Sequence, residues 1–440
     1  MNSLSKRKEK YLSIYSVMLV VIFLLSEINE STIFRSALYL GTALLLFNPI
    51  FILPIFIISS LGNNFFGYGG ISTSRIIGFI LIIACIVYQA RNKIPLRRLE
   101  FILLVTFFVY TFISSAFSIT GSLQSFFLFT QSLIIVFLLS QLRNINLFNL
   151  SWSLIASSVA AIILLIFSLE EKIILLDLER LSIGEDDSIN RFATMISQLI
   201  AILFVGFVIS GKNKLIKIIL FLTMLIGLFM IILTGTRSAL IAIILAIVIV
   251  CLYFFINSKK SVINLLLIFT VCYLILNQLQ ELDLHVLKRF SLEEVNDSGG
   301  SGRRGVWKAL IPRTLDDGLF FGFGFGAENV YFLAKQYGFS FSAHNLLIDM
   351  FIQMGFSGLI LFVTYFFILA KKLLKSIDNP NIFVPIMILL TGLFNGLGET
   401  VFLEKFFWNG IALAWLYLNN LPNTLKMSKQ TYSKEANEPF

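Results

Sequence analysis

Apolar runs of about 15–25 residues, broken by short polar or basic turns, fill nearly all of this 440-residue chain. Each run is about as long as a helix must be to cross a hydrocarbon core of roughly 30 Å. The pattern predicts about fourteen helices: 11–26, 33–47, 49–61, 73–90, 100–118, 122–142, 147–168, 192–210, 214–233, 237–257, 261–278, 346–370, 381–398 and 402–420. The period-two alternation of a membrane barrel is absent. The fold class that follows is an all-α polytopic integral membrane protein with about 12–14 transmembrane helices. Residues 1–440 form a single membrane domain. One long polar interruption, 279–343, is a loop carrying short helices, and 421–440 is a tail.

Residues 32–61 are too long for one comfortable helix and short for two, and Pro54 interrupts the second half. Loop charge decides between the readings. With Lys6-Arg7-Lys8 placed in the cytoplasm and two helices counted here, every basic loop falls on the cytoplasmic side. Twenty of the 34 Lys and Arg residues then lie inside, against five of the 25 acids, which is the positive-inside pattern. Counting one helix would invert every later loop, so two short, tilted or kinked helices are expected. Both termini are cytoplasmic on this reading, and the 279–343 loop is extracytoplasmic.

Composition agrees. A chain that is 57% hydrophobic and 13% charged is too apolar for a soluble globule. The net charge of +9 invites a nucleic-acid reading, but its distribution records orientation and implies no nucleic-acid partner. Cys85, Cys251 and Cys272 all sit inside expected helices, so a disulfide framework is excluded. The first apolar segment ends in LLSEINE without a small-residue cleavage pattern, and is expected to stay as a helix. No internal repeat or low-complexity linker is evident.

The same parity places four polar features on the outer side: the acidic segment 169–190, the turn before Arg237, the 279–343 loop and the helix entrance at His344. Arg237 opens an otherwise apolar helix, where it works against the macrodipole and costs about 2.5–3.5 kcal/mol if held in hydrocarbon. It is either an interfacial anchor or a site for an anionic group, since a guanidinium fork suits phosphate oxygens. In RRGVWKALI, Trp307, Leu310 and Ile311 make an apolar stripe, and Arg303 shares the Trp307 face four residues earlier. A short helix lying on the membrane explains this. The sharper alternative has Arg303 on a phosphate while Trp307 anchors the helix among headgroups. His344 is either an interfacial polar residue or a base able to take a proton from a hydroxyl. Asp349, inside the same helix, needs a partner.

Other motifs carry less. Gly322–Gly326 reads GFGFG, but no Gly-Lys-Ser/Thr follows, so a flexible turn is expected. Glu185-Asp186-Asp187 is read as a solvated charge run rather than a cation site. Two distant histidines, His285 and His344, give no zinc pattern. No nucleotide signature appears.

Several segments taken together resemble the O-antigen ligase/polymerase superfamily of membrane glycosyltransferases. They are TGTRSALI (Thr234–Ile241), SGRRGVWKAL with an arginine four residues before tryptophan, GLFFGFGFG, and SAHNLLIDMFIQMGFSG (Ser342–Gly358). SINRFA (Ser188–Ala193) is a weaker match. The resemblance covers about 234–370, and the N-terminal half agrees only in hydropathy. It implies a metal-independent, inverting transfer at the periplasmic face of the bacterial inner membrane, without a cofactor. The donor would be a glycan on undecaprenyl diphosphate; the acceptor would be another lipid-linked glycan or lipid A-core. Membrane lipids are the surroundings, and a chain-length regulator is left room as a further partner. Carried over by residue, Arg237 and Arg303 would hold the diphosphate, with Arg304 as the alternative to Arg303 and Arg191 as a further donor contact. His344 would orient or deprotonate the acceptor, supported by Trp307, Asn345 and Asp349. A polymerase is favoured over a ligase. A transporter or flippase for a lipid-linked anion is the rival of another class, disfavoured because its charges would sit at the midplane rather than crowd one face.

Overall fold

The computed structural model describes residues 3–28, 31–61, 72–93, 98–172, 189–211, 213–257, 303–340, 342–399 and 404–421. Among these residues there are helices and no strands. The helices are α1 (Ser3–Ile28), α2 (Thr32–Ala43), α3 (Leu53–Leu61), α4 (Thr73–Asn92), α5 (Arg98–Ala116), α6 (Gln124–Gln141), α7 (Leu147–Lys172) and α8 (Ile189–Ile209). They continue as α9 (Lys214–Thr234), α10 (Arg237–Asn257), α11 (Arg303–Asp317), α12 (Ala327–Gln336), α13 (Leu346–Leu374), α14 (Phe383–Gly396) and α15 (Lys405–Asn420). The protein is an all-α polytopic membrane protein. Seven of these, α1, α4, α6, α7, α8, α9 and α13, are long and apolar enough to cross a bilayer. Shorter apolar helical stretches occupy Pro49–Leu61, Phe101–Ala116, Arg237–Tyr253 and Pro380–Gly396. A chain in hydrocarbon must satisfy its own backbone, and helices do so segment by segment.

Of the fourteen expected helices, thirteen have a counterpart here, and 261–278 lies outside the described residues. Residues 32–61 do form two short helices. At 12 and nine residues, α2 and α3 extend only ~18 and ~14 Å. A turn of 3-10 helix at Pro49–Phe51 joins them. α2 and the 3-10 turn are fixed to α1: Tyr15 donates from its hydroxyl to the Gly41 carbonyl at 3.1 Å, and Ser16 donates to the Phe51 carbonyl at 2.6 Å.

The bundle is ordered by burial. All nine residues of α3 are buried, as are most of α8 and α15, so these three form the interior. Ring packing closes it, with Trp408 edge-on to Phe129 at 4.8 Å between centroids. Polar groups inside find one another: Asn395 Nδ2 donates to Ser197 Oγ at 3.0 Å, and Trp415 Nε1 to Tyr365 Oη at 2.8 Å. The periphery shows the opposite, with large apolar side chains such as Phe79, Phe112 and Phe367 left exposed. On a soluble protein this would be an aggregation surface; around a membrane bundle it is the lipid-facing wall.

The polar interruption folds back onto the bundle. Val306, Leu310 and Thr314 are the buried positions of α11, and they pack with α12 and the start of α13 around Phe323, Val330 and Ile352. Of the expected stripe of Trp307, Leu310 and Ile311, Leu310 is buried in this cluster, Trp307 packs against it and Ile311 is half-buried, so the stripe faces protein. The GFGFG turn is likewise packed rather than loose. Gly322 (φ +68°) and Gly355 (φ +64°, ψ −169°) each lie where an L side chain is strained, and each faces backbone. A Cβ on Gly322 would overlap the Gln353 peptide; one on Gly355 would overlap Phe320. Gly355 also kinks α13, and the kink exposes backbone groups that the turn satisfies: Phe323 N–H donates to the Ile352 carbonyl at 2.8 Å, and Phe356 N–H to that of Leu319 at 2.7 Å. Residues 279–302 and 422–440 lie outside the described set.

Candidate active site

The first half of α13 starts at a well-built cap. Asn345 Oδ1 accepts from the N–H groups of Leu347 and Ile348 at 3.1 and 3.2 Å. Its amide nitrogen donates to the Leu397 carbonyl at 3.2 Å, which ties the cap to the end of α14. One residue earlier, His344 has φ +47°, a left-handed conformation uncommon outside glycine. That sharp turn is held from the other side by Trp307, whose indole N–H donates to the Ala343 carbonyl at 2.7 Å. The imidazole therefore projects from a backbone fixed at both flanks.

An arginine and a histidine meet one carboxylate there. Glu399, just beyond α14, brings Oε1 to 3.3 Å from Arg303 Nη2 and Oε2 to 3.2 Å from His344 Nδ1. The three side chains are 11%, 23% and 29% exposed for Glu399, Arg303 and His344. At that burial the charges feel each other more strongly than on an open surface. Gly398 makes the approach possible from a third helix: a Cβ there would sit 2.6 Å from Ser238 Cβ and 3.5 Å from Arg303 Nη1. Ser238 follows Arg237, so the start of α10 stands beside Arg303. Thr236, on the other side of Arg237, donates from Oγ1 to Asn190 Oδ1 at 3.2 Å. Arg191 in turn pairs through Nη2 with Glu404 Oε1 at 3.1 Å. The starts of α8, α10, α11, α13 and α15 thus converge at one end of the bundle.

The residues singled out from sequence fare differently. Arg303, His344, Asn345 and Trp307 come together directly, and Arg237 stands next to them through Ser238. Trp307 does more than sit at an interface, since its polar edge sets the backbone before His344. Arg191 belongs to the neighbouring Glu404 pair. Arg304 is exposed, and Arg303 rather than Arg304 reaches Glu399. Asp349 is fully buried one turn into α13, beneath the cap. His285 and Glu185-Asp186-Asp187 lie outside the described residues.

Sequence reasoning missed Glu399. A signal existed: between Asp378 and Glu399 the chain carries no charged residue, so a lone carboxylate ends a long apolar run. Such a group in a membrane protein calls for a partner. Its partners are 55 and 96 positions away, which no local pattern reveals.

Residues 222–363 match a family model described as O-antigen ligase. The matched segment contains Arg237, Arg303 and His344, and it ends before Glu399. No curated protein matches the chain. The match supports the O-antigen ligase/polymerase superfamily, a glycosyltransferase-like activity and, in general, lipid-linked glycan substrates.

Proposed function

We propose, from its place with the O-antigen ligase/polymerase superfamily, that this chain is a surface-polysaccharide polymerase. It transfers a glycan from undecaprenyl diphosphate to a hydroxyl of a second lipid-linked repeat unit at the periplasmic face of the inner membrane. The observation that carries the reading is the carboxylate of Glu399, shared between Arg303 and His344.

The chemistry follows from that sharing. Nδ1 of His344 lies 3.2 Å from Glu399 Oε2 without the alignment of a hydrogen bond, so the carboxylate acts on the imidazole through its charge, and with the proton on Nδ1 the basic nitrogen is Nε2. The acceptor hydroxyl oxygen attacks the anomeric carbon opposite the diphosphate. Its proton passes to Nε2, the bond from that carbon to the diphosphate oxygen breaks with its electron pair leaving on phosphate, and configuration inverts. Charge builds on the departing diphosphate, where Arg237 and Arg303 neutralise it. Before substrate arrives, Glu399 holds Arg303 in place. A diphosphate competes for that guanidinium, and the carboxylate is then left to His344, whose imidazolium it stabilises once the proton has moved. Donor binding and base activation are coupled through one side chain.

Reconstitution of purified protein with an undecaprenyl-diphosphate repeat unit tests this. A ladder of products is expected. A single transfer to lipid A-core would make the protein a ligase, and relocation of the lipid without a new glycosidic bond would make it a transporter.

A further inference from the structure

A second cationic cluster lies along the same end of the bundle, and the transfer just described does not use it. Lys405 is only 8% exposed, yet among the described residues its ammonium has one hydrogen bond, to the neutral Ser74 Oγ at 3.1 Å. Arg75 is next to Ser74, close enough to Lys405 for the two cations to repel. Its Nε is buried and finds no acceptor among the described residues. Glu404 attracts Lys405 but is shared, with an oxygen 3.1 Å from Arg191, and one carboxylate does not balance three cations. Neither helix that starts here is capped by its own side chain: Ser72 before α4 and Glu404 before α15 make no cap hydrogen bond. Two uncapped helix starts add positive potential to two cations that already repel. Keeping like charges this close and this dry is unfavourable unless an anion completes the site.

The surroundings say what kind of anion. Arg75, Phe79, Ile83 and Ile86 follow one another at spacings of four, four and three, and so share one face of α4. Phe79, Ile83 and Ile86 are exposed apolar residues. An arginine at the head of an exposed apolar stripe suits a phosphate with a hydrocarbon tail below it. The cluster also adjoins the first site: Glu404 precedes Lys405 and pairs with Arg191, next to the Asn190 that holds Thr236 beside Arg237.

We infer that Arg75, Lys405 and Ser74 form a second phosphate subsite, which holds the lipid-borne phosphate of the acceptor while Arg237 and Arg303 hold that of the donor. This rests on the transferase reading and deepens it: both substrates would carry a phosphate on a long isoprenoid tail, as chain growth between two lipid-linked glycans requires.

The test is equilibrium binding of radiolabelled undecaprenyl phosphate to the full-length protein in nanodiscs. Wild type is expected to bind two equivalents, and Arg75→Gln and Lys405→Met one each. Excess inorganic pyrophosphate is expected to displace both equivalents. Two equivalents retained by both variants would overturn the subsite. Displacement of the second equivalent by phosphatidylglycerol as readily as by undecaprenyl phosphate would assign it to bulk lipid headgroups and overturn the acceptor role. Arg237→Gln/Arg303→Gln separates the two readings: if that variant still binds two equivalents, the donor site is wrong, whatever the Arg75 result. Folding is checked in parallel. Relief of repulsion should leave the thermal midpoint of Lys405→Met unchanged or raised, whereas a purely structural lysine would lower it and keep both equivalents. In turnover, the Arg75 and Lys405 variants should raise the acceptor KM about tenfold, as loss of one charge-assisted contact does, with kcat retained. A fall in kcat at unchanged KM would count against the subsite.

Discussion

Glu399 stands 3.2 Å from His344 through Oε2 while its other oxygen is 3.3 Å from Arg303. One carboxylate therefore stands against the candidate base and holds the candidate phosphate ligand. Glu399→Gln keeps the shape and removes the charge. Loss of activity by about two to three orders of magnitude is expected, in line with removing a partner that stabilises the charged form of a catalytic imidazole. Glycan-transfer rates of purified protein measure it. A loss below tenfold would reduce Glu399 to a structural counter-ion.

His344→Ala should cost about two to four orders of magnitude in kcat, the range for removing a general base. The donor KM should move little, since the phosphate ligands remain. A large KM change with kcat preserved would make His344 a binding residue.

Arg237→Ala and Arg303→Ala should each abolish product while the protein stays inserted and folded. Arg303→Lys restores the charge without the planar fork, and should recover only part of the activity. Full recovery would mean that charge alone matters at this position. Wild-type rates in both alanine variants would remove the diphosphate role.

Gly355→Ala places a Cβ on a backbone at φ +64°, ψ −169°, against Phe320. The strain is of order 1–3 kcal/mol before any overlap is counted. The expected result is a lower thermal midpoint together with lost activity, because the kink seats the turn against the half-helix that His344 precedes. A stable, active variant would show that the kink is dispensable.

Activity should survive excess EDTA, as the resemblance to metal-independent transferases implies. Abolition by EDTA that added magnesium reverses would bring Glu185-Asp186-Asp187 into the mechanism.

The membrane class, nearly every helix and several residues of the candidate site were legible in the amino-acid order alone. Those signals are local: runs of apolar residues as long as a bilayer is thick, basic turns between them, and polar residues at helix starts. Even the two short helices at 32–61 were legible, from the charge of loops far downstream. Tertiary structure decided which of these residues meet. The pairing of Glu399 with Arg303 and His344, the Trp307 tether and the packing of the glycine turn on the α13 kink all join helices distant in sequence. An apolar stripe records that a helix is buried, but not against what, because lipid and protein interiors reward the same side chains. Charge shows the difference only where a partner stands within a few ångströms, and that is a property of the assembled bundle.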